Sequence, residues 1–135
     1  MKEHPIIFNA EMVRAILDNR KTQMRRVLKP MVPVGEQSCP YGQPGDRLLV
    51  VDSHVNLEIT DVRVERVQEI SEDDAWAEGI ELPEIDWERD GHGYCHPPGA
   101  CVEEFAELWD SINAKRGFGW DDDPWVWVVT FKRIA

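Results

Sequence analysis

The octapeptide Asn19-Arg20-Lys21-Thr22-Gln23-Met24-Arg25-Arg26 holds the residues with the clearest chemical capacity in this chain. A lysine in a partly desolvated pocket can lose its proton near neutral pH and act as a base, whereas an exposed lysine supplies only charge. Arg25 and Arg26 beside Lys21 would lower its pKa further. Each guanidinium offers five donors in a planar fork, which suits phosphate or nucleobase recognition, and Arg20 adds to the cluster. Glu78 is the acidic residue that stands out. It falls at the C-terminal end of a short predicted helix, where the helix dipole disfavours a carboxylate, so helix stability does not account for it. The plainer reading is a Lys21–Glu78 salt bridge, worth at most about 1 kcal/mol if exposed.

The charge around this cluster opposes that of the whole chain, whose formal net charge is −11. Residues 1–34 carry seven Lys or Arg against three acids, while residues 61–123 carry nineteen acids against five bases. Such segregation points to a local anion-attracting site framed by a repulsive surface, and it disfavours indiscriminate nucleic-acid binding. A solvated helix terminus is the alternative meaning of the basic cluster.

The elements that must position these residues are short and mixed. Pro5-Ile6-Ile7-Phe8 reads as a strand, and Asn9 as the N-cap of a helix over Ala10 to Asn19 whose Met12, Val13, Ile16 and Leu17 share one face. Asn19 can end that helix in the left-handed conformation. The octapeptide then leaves as extended chain, with Lys21 and Arg25 on one side and Thr22, Met24 and Arg26 on the other. Residues 29–45 read as a long loop, and 46–52, 54–60 and 61–69 as strands. Ser71 with Asp74 opens a short helix that Gly79 stops. Residues 80–101 form a variable loop, a helix runs from Val102 to Ala114, and Trp125 to Arg133 closes the chain as a strand. At 135 residues a single domain spanning 1–135 is expected, and the irregular order of elements predicts an α+β fold. No apolar run is long enough for a membrane span or a signal peptide, and three cysteines fit a reducing compartment, so no membrane association and a cytoplasmic location are expected.

The octapeptide resembles the Gly-x-Lys-x-x-Thr-x-Arg signature of the ASCH domain, a relative of the PUA RNA-binding fold, and of bacteriophage and prophage ASCH-like proteins in particular. The likeness continues through the blocks Cys39 to Leu48, Ser71 to Ile80, Leu108 to Asn113 and Pro124 to Val128. It implies a small PUA-like β-barrel flanked by helices, and a bacterial host cell whose cytoplasm is the expected location. In similar bacterial amidohydrolases that deacetylate acetylcytidine, the signature lysine works with the signature threonine as nucleophile and with a glutamate. Lys21 matches that lysine and Glu78 that glutamate, but the threonine position holds Met24, whose thioether cannot attack an acyl carbon. Thr22 lies two residues away, roughly 6.6 Å along a strand. The run Leu49-Val50-Val51-Asp52 likewise replaces a Trp-Val-Arg-Glu run, removing an aromatic and an arginine.

Among the tryptophans, Trp109, Trp125 and Trp127 are expected in the core, and Trp76 and Trp120 at the surface, where Trp76 could stack on a base. His92, Cys95, His96 and Cys101 are zinc-ligand types, but the Cys-x5-Cys spacing is not that of a common zinc knuckle, so no metal or cofactor is expected. Three functions stay open. The first is an ASCH-type module binding RNA or a modified nucleoside through Arg20, Lys21, Arg25, Arg26 and Trp76. The second is a hydrolase, an amidohydrolase on acylated cytidine or a ribonuclease, using Lys21, Glu78 and Thr22. The third is an accessory protein whose acidic face, including Asp121-Asp122-Asp123, blocks a host nucleic-acid-binding protein.

Overall fold

Strand β5 (Trp125–Arg133) organises the computed structural model, which describes residues 2–28, 39–80 and 99–134. Its apolar residues fall on both faces, as in a central strand covered on each side. Val129 and Phe131 enter one hydrophobic cluster with Ile6, Phe8, Ile16, Met24 and Leu57, while Val126 and Val128 enter a second with Val67, Ile70, Phe105 and Trp109.

The strands β1 (Glu3–Ile6), β2 (Gln23–Val27), β3 (Arg47–Val50) and β4 (Asn56–Arg66) complete a five-stranded sheet of order β1-β3-β4-β5-β2. Only the β1–β3 pair is parallel. The α+β expectation holds, and the expected barrel does not. Among the described residues no ladder joins the edge strands β1 and β2, so the sheet stays open. The segments read as separate strands at 54–60 and 61–69 are mostly one eleven-residue strand, with a register shift between Ile59 and Asp61. Thr60 and Asp61 are exposed side by side, which breaks the alternation and imitates a boundary.

Among the described residues three α-helices flank the sheet. In α1 (Ala10–Leu17) the Asn9 side chain caps the N-terminus by accepting from the Met12 N–H at 2.8 Å. Helix α2 (Glu72–Ala77) begins with Ser71 accepting from the Asp74 N–H, and α3 (Ala100–Asn113) is tied to it by the Val102 N–H, which donates to the Glu72 carboxylate at 3.1 Å. At the far edge Asp46 accepts from the Lys2 N–H and pairs with His4, contacts that hold its pKa down at about 2 and fasten β1 to the turn before β3.

Candidate functional site

Two left-handed residues bring Lys21 to Glu78. Asn19 (φ 62) ends α1 as the sequence predicts, with the Asn19 N–H donating to Ile16 O and the Arg20 N–H to Ala15 O, the paired bonds of a Schellman motif. Gly79 (φ 89) ends α2, and a Cβ there would lie 2.9 Å from the Cβ atoms of both Ala15 and Lys21. Glycine is needed at this position both for the turn and for the close approach of the two helix ends.

Lys21 is 3% exposed and Glu78 is 6% exposed. The Lys21 ammonium donates to Gln23 O at 2.7 Å, Glu78 O at 2.8 Å and Glu78 Oε1 at 3.3 Å. Its three protons therefore all have acceptors. Burial pushes the Lys21 pKa below the usual lysine value, a shift opposed by Glu78 and assisted by Arg26 and Arg25.

Arg25 sits on the same side. Its Nη1 donates to Glu78 Oε2 at 3.0 Å and to Gln23 Oε1 at 2.9 Å, and its Nη2 to Glu65 at 3.0 Å and Asp74 at 3.5 Å. Arg63 closes the cluster through Asp74 at 2.7 Å and Glu65 at 3.2 Å. Three cations (Lys21, Arg25, Arg63) thus face three carboxylates (Glu65, Asp74, Glu78), with the exposed Asp61 a further 3.7 Å partner of Arg63, so every cation of the cluster is matched by a carboxylate. Arg25, expected to meet a ligand, spends both its amino groups on protein carboxylates, and its buried Nε–H finds no acceptor among the described residues.

Arg26 is on the opposite side of β2, half-buried, with its guanidinium 5.7 Å from the Phe8 ring centre and 5.9 Å from that of Tyr41, and it donates to Ile7 O. The Lys21 ammonium lies 5.4 Å from the same Phe8 ring. Lys21, Arg25, Arg26 and Glu78 all line a cavity of about 560 Å³ at the edge strand β2, bounded on the far side by Trp109, Asn113 and Arg116 of α3 and the turn after it. The convergence of Lys21, Arg26 and Glu78 is thus realised, although Lys21 and Glu78 lie at the buried floor.

The remaining expected site residues lie elsewhere. Thr22 is exposed, with its backbone bonded to Ala77 O and Phe131 N, and does not line the cavity. Arg20 turns to the Gly79 and Ile80 carbonyls and lies 3.6 Å from Asp18. Trp76 is 41% exposed on α2, outside the cavity. Met24, 1% exposed, belongs to the first hydrophobic cluster while touching the cavity. Trp125 departs from the core expectation, being 38% exposed and stacked on Arg66 at 4.6 Å, and Trp120 is half-buried against Phe105. Asp122 and Asp123 accept backbone N–H bonds from Gly119 and Gln68, so much of that acidic run shapes a turn.

The sequence reasoning did not single out Phe8, Tyr41, Asn113 or Arg116 as site residues. Tyr41 and Asn113 do lie in blocks that carry the family likeness. No group of three or more His, Cys, Asp or Glu among the described residues could hold a metal ion. His92, Cys95 and His96 lie outside the described residues. Cys101 is described, and burial followed by the nearby Glu72 raises its thiol to about 11. No helix among the described residues is long and apolar enough to cross a membrane.

No family model and no curated protein matches the sequence. Solved structures do match. The chain resembles an ASCH domain from Lactobacillus crispatus JV V101 at 20% identity and a TM-score of 0.57, over 98% of this chain and 79% of that one. It resembles a DUF984 protein from Enterococcus faecalis V583 at 18% identity and a TM-score of 0.59, over 99% and 80%. A hypothetical protein, PH0355, aligns at 14% identity and a TM-score of 0.53 over 99% of this chain and 100% of that one. The chain therefore has an ASCH-like α+β fold, an open five-stranded mixed sheet with helices packed on it.

Proposed function

We propose that this chain is an ASCH-type module that binds RNA or a nucleotide-like ligand in the cavity at the β2 edge. The observation that carries this reading is the state of Glu78 on the cavity floor. Each of its carboxylate oxygens accepts one protein donor, from Lys21 or from Arg25, and each retains a second lone pair. A buried carboxylate fixed in this way suits the exocyclic amine of a nucleobase, and the Phe8 and Tyr41 rings supply apolar walls. A cavity of about 560 Å³ is of the size that small ligands occupy. Titration calorimetry with the four nucleosides and short single-stranded RNAs tests the reading. Wild type should bind amine-bearing bases in preference to uridine, and Arg26→Ala should weaken every complex. Equal binding of uridine and cytidine would remove Glu78 from the recognition.

A hydrolytic reading has one observation in its favour, the lowered pKa of buried Lys21. A neutral Lys21 amine would have a lone pair with which to take a proton from water, whereas the ammonium has none. Binding remains the better reading because Met24 lines the cavity at the signature position that holds the threonine nucleophile in the amidohydrolases this sequence resembles.

A further inference from the structure

The charged groups that line the cavity fall into two sets. Lys21, Arg25 and Glu78 belong to the charge-balanced cluster on the floor. Arg26 and Arg116 are the other two charged lining residues, and neither has a carboxylate within ion-pair distance among the described residues. Among the described residues their donors are also largely unspent. Arg26 gives one bond to Ile7 O, and Arg116 gives one of 3.5 Å to Asn113 Oδ1, out of five N–H groups each. The two sets differ in depth as well. Lys21 and Glu78 are buried, Arg26 is half-buried, and Arg116 is exposed.

The Arg26 side chain and the Arg116 backbone are both held in place. Arg26 lies against the Phe8 and Tyr41 rings. Arg116 ends the 3-10 turn Ala114–Arg116, which Gly117 (φ 87) and the Phe118 N–H bond to Asn113 O bring back towards α3. The C-terminal end of a helix favours a cation by itself. That preference does not require the side chain to line a cavity whose floor cations already have carboxylate partners.

We propose that Arg26 and Arg116 form a phosphate-recognising rim, so that the ligand is a nucleotide presenting its phosphate at the mouth rather than a bare nucleoside. This inference rests on the nucleotide-binding reading above and adds the phosphate. The shared chemistry is a 5′-phosphate, carried either by a free mononucleotide or by the end of an RNA strand. Planar guanidinium forks suit phosphate oxygens, and charge-assisted bonds are roughly twice as strong as neutral ones.

The test is calorimetric titration of wild type, Arg26→Gln, Arg116→Gln and the control Arg14→Gln, an exposed residue of α1 outside the cavity. The probes are the four nucleosides, their 5′-monophosphates, and one RNA tetramer with and without a 5′-phosphate. Wild type and Arg14→Gln should bind at least one monophosphate, or the phosphorylated tetramer, at least about tenfold more tightly than its unphosphorylated counterpart, and that ratio should fall towards one in Arg116→Gln and in Arg26→Gln. A preference confined to the mononucleotide or to the tetramer supports the rim and names the source. Nucleoside binding with no phosphate preference overturns the rim alone, as does a preference that survives in both arginine variants. Failure of every probe to bind overturns the rim and the nucleotide-binding reading together.

Discussion

Lys21 and Glu78, 57 residues apart, are joined twice, the Lys21 ammonium donating to the Glu78 carbonyl at 2.8 Å and to its carboxylate at 3.3 Å. The first bond satisfies a carbonyl at the end of α2, and the second stabilises a carboxylate that the helix dipole alone would disfavour. Arg25 adds a second cation on the other carboxylate oxygen. Glu78 is thus held at a helix terminus by tertiary contacts. Those contacts also place it on the cavity floor.

Gly79 is the steric condition for that junction. In Gly79→Ala the new Cβ would meet two Cβ atoms at 2.9 Å while adopting φ 89, so both strain and displacement of Lys21 are expected. The variant should lose about 2–3 kcal/mol of stability in urea unfolding. It should also bind nucleosides more weakly than wild type under conditions where it remains folded. Unchanged stability would mean that the helix ends can separate at little cost.

Arg25 is expected to be the most costly single residue of the charge cluster to replace. Arg25→Met would leave Glu65 and Glu78 with fewer partners in a buried setting, and loss of one member of such a cluster costs about 3–5 kcal/mol. Arg25→Met combined with Glu78→Gln should recover part of that loss, because the second change removes a surplus negative charge. A double-mutant cycle in urea that shows simple additivity would contradict the coupling.

Stability should depend on pH through Lys21, with a definite sign. Burial holds the folded pKa below the ordinary value of 10.5, so between the two values the unfolded chain binds more protons than the folded one. Unfolding free energy contributed by this group therefore rises with pH across that window, as the penalty of burying the ammonium is relieved. Below the folded pKa the penalty is present in full. Lys21→Met removes the titrating group, so wild type should gain stability relative to Lys21→Met from neutral pH towards pH 10.5. A flat difference across that range would show that the Lys21 pKa is not lowered.

Local rules in the sequence announced much of this arrangement and missed the rest for identifiable reasons. Asn19, Ser71 and Gly79 act through their own backbone and near neighbours, so their roles as helix stop, cap and turn are readable from residue type. The alternation of Lys21 and Arg25 against Met24 and Arg26 is likewise local. The partners of Arg25 are not, since Glu65 and Asp74 lie 40 and 49 residues away and reach it only through sheet register and the packing of α2. Arg116 meets the cavity because Phe105 and Trp109 of α3 pack in one cluster with Val126 and Val128 of β5, a tertiary contact that no periodicity encodes. The open sheet was missed for the same kind of reason, since closure depends on whether short edge strands meet.

Met24 is where the proposed binding reading and the hydrolytic one make opposite predictions. The side chain is fully packed in the first hydrophobic cluster, paired across the sheet with Val129, and borders the same cavity as Lys21 and Glu78. Met24→Thr would shorten a buried side chain and bury a hydroxyl, a loss of about 2–4 kcal/mol that urea unfolding would register. It would also add a hydroxyl to the cavity that Lys21 lines, a nucleophile the wild-type cavity lacks at this position. Wild type should therefore leave acetylcytidine intact over background, while Met24→Thr should show slow deacetylation that disappears when Lys21→Met is added. The logic is that Lys21 and Glu78 supply proton transfer and positioning, whereas an attacking oxygen must come from elsewhere. Robust acetylcytidine hydrolysis by wild type, abolished by Lys21→Met and indifferent to Thr22→Ala, would show that a water activated at the cavity floor takes that role and that the chain is a hydrolase.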